Sequence, residues 1–199
     1  SAWVAKRRGE HRQQVQDRVP QARLYKIWNI PHWGTDEADY LDLASSILGE
    51  GKNSRLYKRL VYDDQLADSV SAMVDLREIA GLFYIVADAK PGVELSRVEK
   101  AIDEELARFL ELGPKPEELE RVRTGYLTNF IKGLEKVGGF SGKADILARA
   151  ETFTGRPDYY KENLRHVRQA SPEIIKETAR KWLSDGVYAL EVLPYPQLS

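Results

Sequence analysis

The chain contains three histidines, His11, His32 and His166, which are its most direct candidates for metal binding or proton transfer. A catalytic zinc site needs about three protein ligands and an open position, and zinc-peptidase motifs place two histidines within one helical turn or so of each other. None of the three histidines has a second one three or four residues away, so the HxxEH, HExxH and HxxxH spacings are absent. We therefore predict a surface or hydrogen-bonded role for each histidine and no catalytic zinc site.

The chain has no cysteine, which excludes a disulfide framework, a thiolate metal site and a cysteine nucleophile. The segment 137–143 comes close to a phosphate-binding loop of the form GxxxxGK[ST]. It fails because Val137 replaces the first glycine and Ala144 replaces the hydroxyl residue after the lysine. A predicted helix, rather than a strand, leads into the segment. We interpret the glycines there as the end of that helix.

Two pairs of adjacent carboxylates, Glu104–Glu105 and Glu117–Glu118, lie on predicted helices. Neighbouring residues on a helix point to different parts of its surface, so neither pair has the geometry of a general acid and base. Charged residues are seldom buried without a partner. We therefore expect all four glutamates to lie on solvated helix faces.

The composition excludes several classes of function. The 199 residues include 30 basic and 31 acidic ones, for a net charge of −1, which gives no electrostatic reason to expect nucleic acid or an anionic membrane as a partner. No apolar run approaches the ~18–20 residues of a membrane helix, and no signal peptide is visible. The tryptophans lack interleaved basic residues, so we expect them to pack in the core or in an interface. They are Trp3, Trp28, Trp33 and Trp182.

Residue patterns predict a sheet and helices in the order strands, helices, strands, helices, strand. Pro20 divides the first β region, residues 12–30, into two strands. Thr35 and Ser171 are predicted helix N-caps, and Gly113 is a predicted helix end. The further strands are predicted at 69–75, 82–87 and 187–193, and the helices begin near residues 36, 54, 98, 116, 141, 157 and 171. This order favours an α+β fold rather than repeating βαβ units.

The chain opens with Ser1-Ala2 rather than methionine. We interpret residues 1–11 as a cloning remnant and a leading segment. Residues 12–195 contain no repeat, no low-complexity stretch and no linker, which predicts a single domain. We expect this domain to be one part of a longer protein.

The most specific segment is Leu48–Leu60, which reads LGEGKNSRLYKRL. The pattern Leu-Gly-x-Gly-x-x-Ser-Arg-Leu-Tyr-x-x-Leu after an amphipathic helix closely resembles the second domain of insulinase/pitrilysin-type zinc peptidases. Other features agree in order and spacing: a strand before the motif, a strand after it, a PxEELERV helix start at Pro116–Val122 and a closing strand. The resemblance covers roughly residues 12–195.

The resemblance implies a curved, mainly antiparallel sheet with helices on its convex side. Domains of this kind assemble, in one chain or as two subunits, into a chamber around a peptide. Zinc is then expected on a preceding domain through an HxxEH motif, which this chain lacks. The resemblance also implies that a distant domain binds the substrate with an arginine and a tyrosine, which lie in Leu-Arg-x-x-x-x-Leu-x-Tyr just after SRLY. The matching positions here are Val61 and Asp68, so that pair is absent.

The absence of both features predicts a non-catalytic domain that follows the zinc domain, encloses substrate and supports its neighbours. The expected partners are homologous peptidase domains and a peptide substrate, without nucleic acid or membrane. Zinc is expected only in the complete protein, and bacterial relatives suggest the periplasm. An alternative is a scaffold or binding module of a relative that has lost proteolysis. An independent enzyme is a third alternative, which the motif search disfavours.

Six residues of the motif are candidate structural or substrate-chamber contacts: Gly49, Gly51, Asn53, Ser54, Arg55 and Tyr57. No catalytic or metal-binding residue is predicted. The two glycines and Asn53 suggest positive φ values in the loop between two helices. This loop is either an ordinary helix–helix turn or a contact that faces the chamber.

The residues after that loop are predicted to hold structure. The Ser54 hydroxyl is expected to cap the following helix, and Leu56 and Leu60 to share a buried stripe. Tyr57 and Val61 would widen this stripe. The Arg55 guanidinium is expected to bind a carboxylate or the carbonyls at the end of a neighbouring helix. The alternative is that Arg55 reaches the chamber and binds substrate carboxylates.

Overall fold

The computed structural model describes residues 6–135 and 158–196. Its centre is an open sheet of five strands in the order β1-β5-β2-β4-β3. The strands are β1 (His11–Asp17), β2 (Arg23–Ile30), β3 (Ala67–Leu76), β4 (Gly81–Ala89) and β5 (Tyr188–Pro194). Strand β1 runs parallel to β5, whereas the other three pairs are antiparallel. The last strand of the chain therefore lies between the first two.

Helices cover one face of this sheet. They are α1 (Asp36–Gly49), a π-helical segment (Tyr57–Asp63), α2 (Leu95–Leu112), α3 (Pro116–Glu135), α4 (Tyr159–Gln169) and α5 (Pro172–Leu183). The strand residues that face them are almost all apolar and buried, as Leu24, Phe83 and Ile85 illustrate with no exposed surface. Trp28 meets Phe83 edge to face, with ring centroids 6.0 Å apart. Burial of these apolar side chains against the helices is the main stabilising contribution to the fold.

The helix ends follow the residues that local chemistry favours there. The Thr35 hydroxyl accepts a hydrogen bond from the Ala38 amide at 3.2 Å, and the Ser171 hydroxyl accepts one from the Ile174 amide at 3.2 Å. The predicted N-caps at Thr35 and Ser171 are therefore confirmed. Gly113 ends α2 with a φ of +72°, a conformation that glycine adopts without the strain of a Cβ.

The helix predicted from Ser54 forms, but most of it is wound as a π-helix. The Asp64 amide donates to the Arg59 carbonyl, five residues earlier, at 2.9 Å. Leu66 then donates to the Leu60 carbonyl at 2.8 Å, which directs the chain into β3. Sequence periodicity does not separate this winding from an α-helix over so short a segment.

The predicted α+β fold, with a mainly antiparallel sheet packed by helices on one side, is confirmed. The predicted helix near 141–153, the glycine pair after α3 and the segment 137–143 lie outside the described residues, as does Trp3. Among the described helices, none combines the length and the apolar character that crossing a bilayer requires.

Candidate functional site

The sheet face opposite the helices carries large side chains that no described helix covers. Along β2 and β4 buried residues alternate with partly exposed ones, so each strand has one face in the core and one open face. Register aligns two rows across the open face: Met73, Tyr84, Ile27 and Tyr188 in the first, and Ser71, Val86, Tyr25 and Leu190 in the second. We call these eight residues the open face.

Aromatic and aliphatic groups dominate the open face, and charge is confined to its borders. At one border Arg23 binds Asp88, with Nε 2.6 Å from Oδ1, and its guanidinium lies 6.0 Å from the centroid of the Tyr25 ring. Burial would raise the pKa of Asp88, but hydrogen bonds from Arg23 and Ser69 outweigh it and hold that pKa below its usual value. At another border the Arg7 guanidinium lies 5.6 Å from the Tyr188 ring.

A surface of this kind suits an extended peptide or another protein surface. Contiguous apolar area with a polar rim is typical of interaction sites, and tyrosine offers apolar contact together with a hydroxyl. Sequence reasoning did not identify the open face. The sequence did carry one sign of it, the continuous apolar run Leu82–Ala87. A strand with one face in solvent would alternate apolar and polar residues instead.

We call residues 49–53, at the end of α1, the glycine loop. It lies beside the sheet edge and beside α3. Gly49 keeps the close approach of α1 to β3, because a Cβ there would stand 2.2 Å from the Ala72 amide nitrogen. Gly51 has a φ of +74° and open space around it. Gly51 and Asn53 both border a groove between α1 and α3.

Positive φ is confirmed for Gly51 only. Gly49 is the last residue of α1, and Asn53 is absent from the positive-φ residues of the described chain, among which Gln65 is the one residue other than glycine. Asn53 instead offers its carbonyl to Arg121, whose Nη1 donates at 2.7 Å. The glycine at 49 is required by backbone contact rather than by its own torsion angles.

The Ser54 hydroxyl is buried, and it donates back to the Gly51 carbonyl at 2.7 Å. This differs from the predicted helix cap, in which the hydroxyl would accept a hydrogen bond from an amide of the next turn. The difference follows from the tight turn, which brings the Gly51 carbonyl within reach of both the Ser54 amide and its hydroxyl. Ser54 therefore closes the glycine loop on itself.

Arg55 makes both of the contacts predicted for it. Its Nε and Nη2 donate to the two oxygens of Glu118 at 2.8 and 2.7 Å, and Nη2 also donates to the Gly113 carbonyl at 3.1 Å. The guanidinium lies 5.2 Å from the Phe109 ring centroid. Arg55 thus joins the segment after the glycine loop to the end of α2 and the start of α3.

Leu56 and Leu60 have no exposed surface, and Tyr57 and Val61 pack against the same core while remaining partly exposed. The predicted apolar stripe is confirmed. Val61 and Asp68, which occupy the positions of the absent substrate-gripping pair, lie on the π-helical segment and on β3 respectively. Neither position offers the guanidinium or the phenol that the pair would require.

Comparison with known proteins decides the family. Residues 2–126 match the family model described as the peptidase M16 inactive domain. The chain belongs to the M16 peptidase inactive-domain family. The resemblance of the SRLY segment to a non-catalytic domain of a zinc-peptidase family is thereby confirmed.

Relatives of this M16 inactive domain include zinc proteases. It is 26% identical to the zinc protease PqqE of Helicobacter pylori over 138 residues. This match covers 69% of the chain and 31% of that protein. A solved protease from Helicobacter pylori superposes with a TM-score of 0.86 at 19% identity, over 96% of this chain and 46% of the other. The periplasmic protease PqqL of Escherichia coli gives a TM-score of 0.75 at 14% identity, over 94% and 21%. The chain thus spans less than half the length of these three relatives.

The three histidines of the M16 inactive domain are separated in the structure. His11 lies on β1, and His32 follows β2, where its Nδ1 is 2.8 Å from the Trp33 carbonyl. His166 lies on α4, where its Nδ1 is 2.6 Å from Asp39 Oδ2. Among the described residues no group of three or more histidines, cysteines or carboxylates could hold a metal ion.

Asp39 is the centre of a polar network that sequence reasoning missed. Its side chain is 3% exposed, and it accepts hydrogen bonds from Tyr159 at 3.0 Å and Asn163 at 2.8 Å in addition to the contact with His166. Burial raises the pKa of Asp39, although hydrogen bonds from His166, Asn163 and Tyr159 oppose this. The network joins α1 to α4 across at least 120 residues of sequence. No local pattern carries such a signal.

The expectation that the four glutamates lie on solvated faces was wrong for two of them. Glu105 is 7% exposed and binds Arg59 and Arg108 at 3.3 and 2.9 Å. The Glu118 side chain is 16% exposed and binds Arg55. Burial of both carboxylates is tolerated because arginines compensate their charge. Lys26 was missed in the same way: it is 3% exposed on the helix-packed face and lies 3.1 Å from both Glu99 and Asp103.

Proposed function

We propose that this M16 inactive domain is a non-catalytic wall of a peptide-enclosing chamber in a zinc metallopeptidase whose zinc site lies on a preceding domain. The observation that carries the proposal is the open face: two rows of aromatic and aliphatic residues in register, left bare by the described helices. An extended peptide contacts such a surface without requiring a particular sequence, because tyrosine and aliphatic groups accept many side chains. The Arg23–Asp88 charges at the rim are paired, so they do not select strongly for either sign.

The supporting role of the domain rests on the residues around the glycine loop. In this proposal Gly49, Gly51, Asn53, Ser54, Arg55 and Tyr57 maintain the fold and bind no substrate. The contacts of Arg55 with Glu118 and Gly113 support this, because they engage the guanidinium within the domain. We propose residues 12–195 as the extent of the domain. Its expected partners are other peptidase domains of the same protein or a second subunit.

The periplasm is the proposed location. The support is indirect and comes from PqqL of Escherichia coli, which is a periplasmic protease with the same fold over this region. Zinc is proposed for the complete protein, as the name of the PqqE relative indicates for that protein.

The complete protein provides the test. We expect elemental analysis to find about one zinc per complete protein, none in the isolated domain, and peptide cleavage only by the complete protein. Ile27→Glu in the complete protein places an unpaired charge in the centre of the open face. We expect it to raise KM for an apolar peptide roughly tenfold with a smaller change in kcat, because the domain contributes binding rather than chemistry.

The matched control is Ile79→Glu, which introduces the same charge at an isoleucine that is 71% exposed in the β3–β4 turn. It should leave KM unchanged. A complete protein without zinc or cleavage would favour the alternative of a scaffold in a non-proteolytic relative. Unchanged KM in folded Ile27→Glu would refute the chamber-wall role.

A further inference from the structure

A groove of about 620 Å³ lies between α1 and α3 on the helical side of the molecule. Residues 50–53 of the glycine loop line part of it. Its volume lies within the range of small-molecule sites. None of the eight open-face residues lines this groove, so the chamber-wall function does not account for it.

Gly125 lies in the interior of α3 and borders the groove. Glycine is among the least favourable residues in a helix interior, so a structural reason for it is expected. Among the described residues close packing is not that reason, because a Cβ at this position would meet none of their atoms within 4 Å. The glycine instead leaves the floor of the groove free of a side chain.

Arg121 presents an unsatisfied donor. Its Nη1 donates to the Asn53 carbonyl at 2.7 Å, whereas its Nη2 is buried and has no hydrogen-bond partner among the described residues. Buried donors without an acceptor are rare in folded proteins and demand an explanation. The same guanidinium borders the groove, and a ligand carboxylate that draws it toward the groove would give Nη2 an acceptor.

Asp42 presents the complementary charge. Its carboxylate takes part in none of the hydrogen bonds or ion pairs among the described residues, although it lines the groove. Burial, and the nearby carboxylates Asp39 and Glu50, raise the pKa of Asp42 to about 6. Asp42 is partly exposed where it lines the groove, so its unpaired carboxylate is within reach of a ligand there.

We propose that this groove binds a small molecule that carries both a protonated amine and a carboxylate, such as a free amino acid or a dipeptide. The amine binds Asp42, and the carboxylate binds Arg121. Val122, Tyr126 and Phe130 form an apolar wall for the side chain of the ligand. Asp42 and Arg121 both line the groove, and the described contacts of Arg121 involve the Asn53 carbonyl rather than a carboxylate, so neither charge is neutralised by the other.

Isothermal titration calorimetry on the 199-residue chain tests the proposal, with L-phenylalanine and glycyl-L-phenylalanine as the two probes near neutral pH. We expect millimolar or tighter binding of at least one of them, and the comparison distinguishes an amino-acid ligand from a dipeptide. N-acetyl-phenylalanine lacks the amine charge and phenylalaninamide lacks the carboxylate. Each should bind at least roughly tenfold more weakly than phenylalanine, which corresponds to the loss of one charged contact.

Variants locate the site. Arg121→Gln should weaken binding by roughly tenfold or more, and Gly125→Met should abolish it by filling the groove. Gly133→Met is the matched control, because Gly133 lies on the same helix, has equally open space around it and does not border the groove. It should leave affinity unchanged. Gly125→Met adds a helix-favouring side chain, so the test does not depend on whether Arg121→Gln folds.

Three outcomes would overturn the proposal. The first is no heat of binding for either probe at about 10 millimolar, a concentration that saturates a millimolar site. The second is equal binding of the acetylated or amidated compound. The third is a folded Gly125→Met protein that binds as tightly as the unsubstituted chain. None of these outcomes bears on the zinc content or KM of the complete protein, so this proposal and the chamber-wall proposal fail separately.

Discussion

At the scale of single residues, the structure divides charged groups into those whose partners were foreseeable and those whose partners were not. The Arg55 contacts could be predicted, because an arginine after a glycine loop and next to buried leucines has few nearby ways to satisfy its donors. The Asp39–His166 pair could not be predicted. Its members are separated by 127 residues, and only the folded arrangement of α1 and α4 brings them together. The pairing of Lys26 could not be predicted either, since its partners come from α2.

Removal of the Arg55 guanidinium should be costly. In the unsubstituted protein the Glu118 side chain is 16% exposed. In Arg55→Ala its carboxylate would lose its partner, and the Gly113 carbonyl would lose a donor. We expect the free energy of unfolding to fall by about 2–4 kcal/mol, as measured by urea denaturation. Arg77→Ala breaks a pair whose arginine is 77% exposed and should have no clear effect. An unaltered melting temperature in Arg55→Ala, with a tenfold change in discrimination between acidic and neutral substrates by the complete protein, would instead assign Arg55 to substrate.

Asp42 should make the stability of the ligand-free domain depend on pH. Its pKa is about 6 in the folded chain against an ordinary value of 3.8, so the folded state holds a proton that the unfolded state releases between these values. Raising the pH through this window therefore weakens the fold. Asp42→Asn removes that effect, and we expect it to stabilise the domain by about 1–3 kcal/mol above pH ~7. Near pH ~4 the two proteins should be nearly equal in stability.

The groups that face Asp42 are Asp39 and Glu50 on or beside its own helix, Lys52 in the loop, and Arg121 and Tyr126 on α3. Residues 71–74 of the neighbouring strand β3 contribute no titratable group. All of these are shared by both proteins, so the difference between their chemical-denaturation curves isolates Asp42. Equal stability above neutral pH would mean that the carboxylate carries no burial penalty.

At the scale of elements, the strands, two of the three predicted N-caps and a helix end followed from local sequence. Pro20 separates β1 from β2, Thr35 and Ser171 cap their helices, and Gly113 ends α2, all as predicted. These features depend on residues within a few positions of each other, which is why they can be read locally. The π-helical winding after Leu56 and the close approach of Gly49 to Ala72 depend on contacts with β3, so they could not be predicted from local sequence.

The glycine loop should tolerate change at one glycine better than at the other. In Gly49→Ala the new Cβ would clash with the backbone of β3, 2.2 Å from the Ala72 nitrogen, so α1 must shift away from the sheet edge. We expect a loss of about 2–4 kcal/mol in unfolding free energy, in the range of overpacked sites. Gly51→Ala meets open space and suffers only from its φ of +74°, which should cost about 1 kcal/mol. Urea denaturation of the two variants measures the difference, and an equal loss would contradict the close-approach account.

At the scale of the whole molecule, the sheet has one face in the core and one face without a described partner. Sequence reasoning predicted the succession of strands and helices along the described residues and, through the SRLY resemblance, the family. It did not locate the open face. The run Leu82–Ala87 indicates only that one strand is apolar on both sides, whereas the register across four strands is set by long-range pairing.

The open face should make the isolated chain self-associate. Bare apolar area of this kind is normally covered by a partner, and a second copy is the partner that a purified sample offers. We expect sedimentation velocity to show association that increases with protein concentration, as for a weak interface. Ile27→Lys should abolish it, because it places an unpaired charge at the centre of the open face. Ile79→Lys, at an isoleucine that is 71% exposed in the β3–β4 turn, should associate as the unsubstituted chain does. Two outcomes would mean that the open face does not mediate association. One is a chain that stays monomeric at high concentration, and the other is an Ile79→Lys protein that loses association while Ile27→Lys retains it.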